Sequence, residues 1–397
     1  MKVLQINSVC GRGSTGRITT DLADVLCARG DECRIAYGRY DVPEEYKDIT
    51  VRIGTDWDVR WHGVQTRLSD THGFGSVRAI KTFLNWVREY DPDVIHLHNL
   101  HGYYINVEEL FDYIKATDKP VVWTLHDCWT FTGHCAYFTK AQCEKWKTHC
   151  SDCLQTVCYP KSIVRSSVSH NFARKRATFT GAGNLTLVTP SYWLAGLLGE
   201  SFLRAYPVQV IPNGIDLSVF CPTEGIFRET HGLAEKKLAL GVASVWDDRK
   251  GLEDLIALSR LLGEAWRVVV VGLDAKQMEA LPNNMIGIMR TNHMRELAEL
   301  YTVADVFVNP TYEDNFPTTN LEALACGTPV VTYPTGGSPE ALDRSCGLVV
   351  EYGPEALAEA LPRVPKNSKA CIERAHLYEK NRCFGEYIDL YRKLSGI

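Results

Sequence analysis

No apolar run in this 397-residue chain approaches the roughly 20 residues that a bilayer-spanning helix needs. Charge of one sign is not in excess either. The 43 Lys and Arg against 48 Asp and Glu leave a net charge of −5, which offers no electrostatic footprint for nucleic acid. Internal repeats and low-complexity tracts are missing as well, so ordinary globular domains are expected. The opening Met1-Lys-Val-Leu-Gln-Ile-Asn-Ser8 has one basic residue and only a short apolar stretch. It is expected to form a first buried strand rather than an export signal, which points to a cytoplasmic protein in a reducing compartment. Hydrophobic and charged contents of 45% and 23% are usual for a globular chain, and the length suits two domains with a core each.

Cysteine is not scarce. Eight of the 14 are scattered (Cys10, Cys27, Cys33, Cys221, Cys326, Cys346, Cys371, Cys383) and are expected to be small buried hydrophobes. The other six, Cys128, Cys135, Cys143, Cys150, Cys153 and Cys158, crowd into one short stretch. In a reducing compartment such crowding points to metal more than to disulfides.

Apolar strand-like runs at 3–6, 32–37, 94–97, 121–125, 186–189 and 208–211 alternate with helical patterns at 18–29, 76–90 and 107–117. Ile18, Leu22, Val25 and Leu26 repeat at helical spacing. A second series has strands at 238–243, 267–271, 285–289, 306–309 and 329–332, with helices at 252–262, 294–301, 321–325 and 354–361. This is the βαβ alternation of parallel sheets covered on both faces. The fold class expected is α/β, with two doubly wound, Rossmann-like domains. The first spans residues 1–212 with a Cys-rich insertion at about 128–160, and the second spans 213–379, with the boundary in the Pro-, Asn- and Gly-rich stretch near 212–222. Residues 370–394 read as a final helix.

The stretch Thr311-Tyr-Glu-Asp-Asn-Phe-Pro-Thr-Thr-Asn-Leu-Glu-Ala-Leu-Ala-Cys-Gly-Thr-Pro-Val-Val331 follows a strand and opens a helix. A helix start presents unpaired N–H groups that suit a phosphate, and Asp314 and Glu322 beside it suit sugar hydroxyls. It resembles the paired-acid signature of retaining glycosyltransferases of family 4, with Asp314 where the first Glu is usual. Gly241-Val-Ala-Ser-Val-Trp-Asp-Asp-Arg-Lys-Gly251 resembles the same family's diphosphate-gripping segment, with Lys250 at the Lys position and Ser244 where an Arg is usual. Arg249 could supply that charge from another angle. Thr335-Gly-Gly-Ser-Pro-Glu340, Thr189-Pro-Ser-Tyr-Trp-Leu194 and Val210-Ile-Pro-Asn-Gly-Ile-Asp-Leu-Ser-Val-Phe220 also look like the family, so the likeness runs along nearly the whole chain.

That resemblance implies a GT-B architecture, two domains facing across a cleft, with the last helix (about 380–397) crossing back to the N-terminal domain. It implies a donor site in which Lys250 and Arg249 hold the diphosphate and Glu322 the ribose. Asp314 would reach the transferred sugar, and the backbone of Asn315, Phe316, Thr318 and Thr319 would face the phosphates. In the N-terminal half, Gly11-Arg-Gly-Ser-Thr-Gly-Arg17 lets backbone approach an anion or sugar closely, which makes Gly13, Ser14, Gly16 and Arg17 donor-side candidates. The loop lacks a Gly-x-Gly-x-x-Gly frame, which disfavours a dinucleotide-dependent dehydrogenase. Alternation places His96 and His98 on one strand face, and the family likeness puts His98 near the sugar. His126 and Asp127 at the tip of the next strand are candidates for orienting the acceptor.

Cys150-x-x-Cys153 with Cys135 and Cys143 upstream fits a tetrahedral four-thiolate site, for which Zn2+ is the default and a structural role is expected. His134 or Cys158 could replace one ligand. No metal is expected at the diphosphate. The basic stretch 159–176, with Ile163, Val164, Val168 and Phe172 interleaved, could lie on anionic lipid.

The activity expected is transfer of a hexose from a nucleoside diphosphate sugar to a glycan or polyprenyl-linked glycolipid, in bacterial exopolysaccharide synthesis of the colanic-acid type. A non-catalytic sugar-nucleotide scaffold and a nucleotide-sugar 2-epimerase are the alternatives.

Overall fold

The computed structural model describes residues 1–163, 167–291 and 293–396. The chain divides into two compact units. One comprises Met1–Pro212 together with the chain from Phe384 onward, and the other comprises Asn213–Cys383. Residues 164–166 of the basic stretch, Val164 among them, lie outside the described residues.

The first unit is built on a parallel sheet ordered β3-β2-β1-β4-β5-β6-β7. Its strands are β1 (Lys2–Asn7), β2 (Glu32–Tyr37), β3 (Thr50–Arg52), β4 (Val94–Leu97), β5 (Val121–Thr124), β6 (Leu185–Thr189) and β7 (Val208–Val210). Every residue of β4, β5 and β6 is buried, as expected for strands covered on both faces. Ile18, Leu22, Val25 and Leu26 of the helix Gly13–Ala28 pack on one face with Val3, Ile35 and Val188. Phe384, Tyr387, Ile388 and Tyr391 of the final helix, Lys380–Ser395, join that same cluster.

The second unit repeats the plan with the order β10-β9-β8-β11-β12-β13. Its strands are β8 (Lys237–Val242), β9 (Trp266–Val271), β10 (Met285–Ile288), β11 (Val306–Asn309), β12 (Val330–Thr332) and β13 (Gly347–Val349), all paired in parallel. In each sheet the strand order reverses beside the first strand, between β1 and β4 and between β8 and β11. Open α/β sheets bind ligands at such points, beyond the strand ends.

Several sequence expectations are corrected. The three-residue strands β3 and β13 sit at sheet edges and are too short to leave a period in the sequence. The helix Asp56–Ser69 was not expected; its buried residues are the polar His62 and Thr66. The final helical stretch is broken. Ser368–Ala375 ends in a tight turn, His376–Tyr378, before Lys380–Ser395 begins. The break has a cause in backbone pairing, because Ile215 N–H donates to Tyr378 O (2.8 Å) and Lys380 N–H to Ile215 O (2.9 Å). Of the eight scattered cysteines, six are buried as expected, but Cys27 is exposed and Cys221 is half-buried.

Candidate functional site

In the second unit, the loops after β8 and β11 are locked together at the switch point. Gly251 takes a left-handed backbone (φ +74), and a Cβ there would come within 2.2 Å of Pro310 O, so only glycine fits without a shift. Tyr312 N–H donates to Arg249 O (2.7 Å) across the same seam. This brings Lys250 Nζ within 2.6 Å of Asp314 Oδ2, both partly buried. Arg249 is turned instead to Asp247, with Nη2 at 2.8 Å and Nε at 3.1 Å from Oδ2. Ser244 is exposed on the same loop.

The helix Thr318–Ala325 begins behind Asp314 with Pro317 at its cap position and no side chain capping it. Thr318 and Thr319 are half-buried, Asn315 and Phe316 buried. Asp314 Oδ1 accepts from Asn315 N–H (2.9 Å), and Phe316 O accepts from Asn213 Nδ2 (3.0 Å). Glu322 is only 1% exposed and accepts the Tyr301 hydroxyl at 2.9 Å, so it stands inside the unit rather than on its surface.

Sequence reasoning missed two supports of this arrangement. Asn320 accepts from Asn309 Nδ2 (2.8 Å) and donates to Ser338 Oγ (2.9 Å), and Ser338 Oγ is 2.8 Å from Thr332 Oγ1. This buried chain ties the helix start to the ends of β11 and β12 and to the turn after Gly336-Gly337. Asp254 Oδ2 accepts from both Tyr312 (2.7 Å) and Tyr333 (2.6 Å). Burial, with Asp254 beside it, pushes the Tyr312 phenol up to about 12, so it remains a donor at neutral pH. Two tyrosines that lie 58 and 79 residues beyond their Asp leave no local signal.

In the first unit, His98 is 1% exposed and both its ring nitrogens are engaged. Gln5 donates through Nε2 to Thr19 O (2.9 Å), which turns its Oε1 toward His98 Nε2 (3.1 Å). His98 therefore carries its proton on Nε2, and its Nδ1 accepts from His126 Nε2 at 3.1 Å. That leaves His126 Nδ1 as the lone pair of the relay, on its only half-buried member. Burial holds the His126 ring down to about 4 and His96 and His98 well below the usual histidine range, so all three are neutral at pH 7. His96 shares the strand face expected of it, with its ring centroid 3.9 Å from that of His98. It reaches the final helix through the hydroxyl of Tyr391.

Asp127 turns away from this relay. Its Oδ2 meets His101 Nε2 at 2.7 Å and its Oδ1 accepts from Trp129 N–H at 2.9 Å. Burial alone would raise this carboxyl, but the charge and hydrogen bond of His101 outweigh it and hold it below the ordinary range. His101 Nδ1 lies 3.1 Å from Tyr159 Oη. In the glycine loop, Gly11 N–H closes on Gly16 O (3.0 Å) and Gly16 is buried. Gly13 and Ser14 are exposed, and Arg17 is half-buried.

The cysteine-rich stretch does not assemble the expected ligand set. Among the described residues, no group of three or more His, Cys, Asp or Glu side chains is placed to hold a metal. Cys135 and Cys153 are hydrogen-bonded to each other, and this contact lowers the Cys153 thiol to about 6 while raising Cys135. Cys150 Sγ accepts Gly133 N–H (3.3 Å), Cys153 Sγ accepts Gln155 N–H (3.4 Å), and Cys143 stands half-buried nearby. His134 Nδ1 is 2.6 Å from buried Asp70 Oδ1, and its Nε2 is buried with no partner among the described residues.

The basic stretch is also spent differently from the expectation. In its helix, Val168–Phe179, Val168 and Phe172 are buried. Arg174 pairs with Glu108 at 2.6 Å, and Lys175 is buried with Nζ 3.6 Å from the Trp129 ring centroid.

Residues 15–219 match the family model described as Glycosyltransferase Family 4, and residues 236–367 match that for Glycosyl transferases group 1. A putative colanic acid biosynthesis glycosyl transferase, WcaC of Escherichia coli K12, is 25% identical over 99% of this chain and all of its own length. A D-inositol 3-phosphate glycosyltransferase of Actinosynnema mirum is 31% identical over 40% of this chain and 43% of that protein. Among solved structures, sucrose-phosphate synthase of Thermosynechococcus elongatus superposes with a TM-score of 0.74 at 19% identity, covering 99% of this chain and 98% of that one. Anabaena Alr3699/HepE, solved in complex with UDP and glucose, gives 0.66 at 14% identity with both chains fully covered. Both likenesses support the GT-B fold.

Proposed function

Because this chain belongs to glycosyltransferase family 4, we propose that it moves a hexose, with retention of configuration, from a nucleoside diphosphate sugar to a hydroxyl of a glycan or polyprenyl-linked glycolipid. The setting is surface polysaccharide synthesis on the cytoplasmic side. The donor class is supported by Alr3699/HepE, which was solved with UDP and with UDP-glucose, and the setting by the name of the colanic acid relative.

One observation carries the reading: the Lys250–Asp314 pair stands before an uncapped helix start, where two loops meet at a switch point. A diphosphate that displaced Asp314 from Lys250 would gain an ammonium and the helix-end amides together. Lys250 then stabilises charge as it develops on the leaving diphosphate. Asp314, released, accepts from a sugar hydroxyl, and Glu322 reaches a ribose only by exchanging the Tyr301 hydroxyl for it. No nucleophile is invoked; the acceptor attacks from the face the diphosphate leaves. In the first unit, His126 Nδ1 is the neutral acceptor available to a substrate hydroxyl, and His98 holds its ring and tautomer.

The test is a panel of UDP-, GDP- and other nucleotide sugars offered to the purified protein. Slow release of nucleoside diphosphate that stops in Lys250→Ala supports transfer. Sugar-nucleotide isomers without release would instead mark an epimerase, and tight binding without turnover a scaffold.

We further propose that zinc orders the cysteine-rich loop, drawing Cys143 and Cys150, or the unpartnered His134 Nε2, onto the Cys135–Cys153 pair. The support is the two backbone N–H groups aimed at sulfur, donors that favour thiolates. Elemental analysis should find about one zinc per chain; fully folded, metal-free protein rejects the site.

A further inference from the structure

The helix Asp56–Ser69 is built inside out. Its fully buried positions are polar, His62 and Thr66, with Asp70 just beyond them at the C-cap, and only Val59 packs on the core as a half-buried hydrophobe. Its outward stripe is apolar, with Trp57 77% exposed, Trp61 64%, Val64 45% and Leu68 60%. These four recur at helical spacing, one above the other along a single face. Scattered exposed hydrophobes need no explanation, but an aligned stripe holding two tryptophans does.

The inversion is anchored rather than accidental. His62 Nε2 accepts Gly73 N–H (3.3 Å) and Gly75 N–H (3.2 Å), and its Nδ1 is 2.9 Å from Ser76 Oγ. At the other end Asp70 is held by His134 and Asn171. The helix cannot roll its tryptophans inward without breaking every one of these contacts. The stripe also continues beyond the helix. Ile163, 78% exposed, donates its N–H to Arg67 O (3.0 Å), and Ser162 N–H donates to Thr156 O (2.9 Å), which seats the turn carrying exposed Leu154 and Val157 beside it.

Three exposed cations flank this surface, against the exposed acid Asp152 at its edge. Arg60, Arg67 and Lys161 are exposed, and the Arg60 guanidinium lies 5.7 Å from the Trp57 ring centroid. The two acids of the helix are already committed, Asp56 to Arg52 and Asp58 to the Thr55 cap. Indole rings with arginines at their margin suit the boundary between lipid headgroups and acyl chains, where the rings enter the apolar layer and the guanidiniums meet phosphate.

We propose that the outer face of this helix, with the adjoining 154–163 segment, is a landing surface for a bilayer containing anionic lipid. The proposal rests on the glycolipid-acceptor reading, since it brings the enzyme to an acceptor held in a membrane. It also moves the membrane contact away from the Val168–Phe179 helix, whose apolar side is buried.

The test is flotation of the full-length protein with vesicles of phosphatidylcholine alone or mixed with phosphatidylglycerol. The wild type should float with the anionic vesicles, less so at high salt. Trp57→Ser/Trp61→Ser should lower the bound fraction by about tenfold or more, with an unchanged melting temperature and unchanged donor hydrolysis. Arg60→Gln/Arg67→Gln should weaken only the binding to anionic vesicles. Protein that stays in the aqueous fraction with both vesicle types overturns the proposal, as does equal binding by the tryptophan variant. Concentration-dependent dimerisation that the tryptophan variant abolishes, without vesicle binding, also overturns it in favour of a second copy. Vesicle binding with no turnover on any donor would leave the surface standing and remove the transferase reading instead.

Discussion

Around the switch point of the first sheet the polar groups are imidazoles: His98 is bonded to Gln5 and His126, and His96, packed against the His98 ring, to Thr124, with His62, His72 and His101 also buried. Around that of the second they are an ammonium–carboxylate pair, amides and hydroxyls, and all three histidines of that unit (His231, His293, His376) are exposed. One strand order thus supports two chemistries. Burial keeps His62, His72, His96, His98 and His126 uncharged at neutral pH, able to accept a hydrogen bond without attracting an anion. The second keeps one cation partly open to solvent, at the start of a helix whose amides favour negative charge. Under the proposed reading, neutral donors and acceptors serve a hydroxyl and the open cation serves a diphosphate.

Lowering the pH should break this symmetry most severely. His62 and His126 titrate at about 4 in the folded chain, against about 6.5 for an ordinary histidine, and His72, His96 and His98 lie well below it, all through burial. The unfolded chain therefore binds more protons between those values. The contribution of His62 and of His126 is complete above about pH 6.5 and shrinks as pH falls toward 4, by roughly 3 kcal/mol for a shift of this size. Hydrogen exchange should show β4 and β5 losing protection across that window while β8 and β11 keep theirs. Equal loss in both sheets would contradict the contrast.

Lys250→Ala should have the next largest effect. Under the proposed reading, removing this ammonium should cost about 10²- to 10³-fold in donor turnover, with little change in melting temperature, because the side chain is partly exposed. Unchanged turnover would reject its role. Asn320→Ala should do the reverse. It takes the acceptor from the buried Asn309 amide and a donor from Ser338, which costs about 2–3 kcal/mol of stability, readable by denaturant titration. A loss below half a kcal/mol would mean that water replaces the amide.

The two sheets were legible in the sequence because buried parallel strands write continuous apolar runs, and the runs at 94–97, 306–309 and 32–37 coincide with β4, β11 and β2. Lys250 and Asp314 were named because the segments that carry them resemble the family's, each at a loop-to-helix junction after such a run; their pairing was not foreseen. Other side-chain partners were not legible either. Nothing in the spacing shows that Arg249 turns to Asp247, that Glu322 is enclosed with Tyr301, or that Asp127 faces His101 rather than His126. Each depends on tertiary contacts between residues remote in sequence or on a turn's local geometry. The helix Asp56–Ser69 escaped for a different reason: its apolar stripe marks solvent, and reading periodicity as burial misplaces it.

The smallest effect sharpens the comparison from the side of the second unit. Asp254 Oδ2 accepts two phenols, Tyr312 at 2.7 Å and fully buried Tyr333 at 2.6 Å. Tyr312→Phe removes one donor and leaves the other, so the carboxylate stays satisfied and the cost should be about 1 kcal/mol. Its pH dependence should run opposite to that of the histidine relay. The folded Tyr312 phenol titrates at about 12, above the usual value near 10, so its contribution is whole below 10 and lost only as pH rises toward 12. Denaturant titrations of wild type and Tyr312→Phe should therefore differ by a constant amount from pH 5 to pH 9, across most of the range in which the first unit weakens. A difference that collapses within that range would mean that the Tyr312 hydroxyl is not what the substitution removes from the balance.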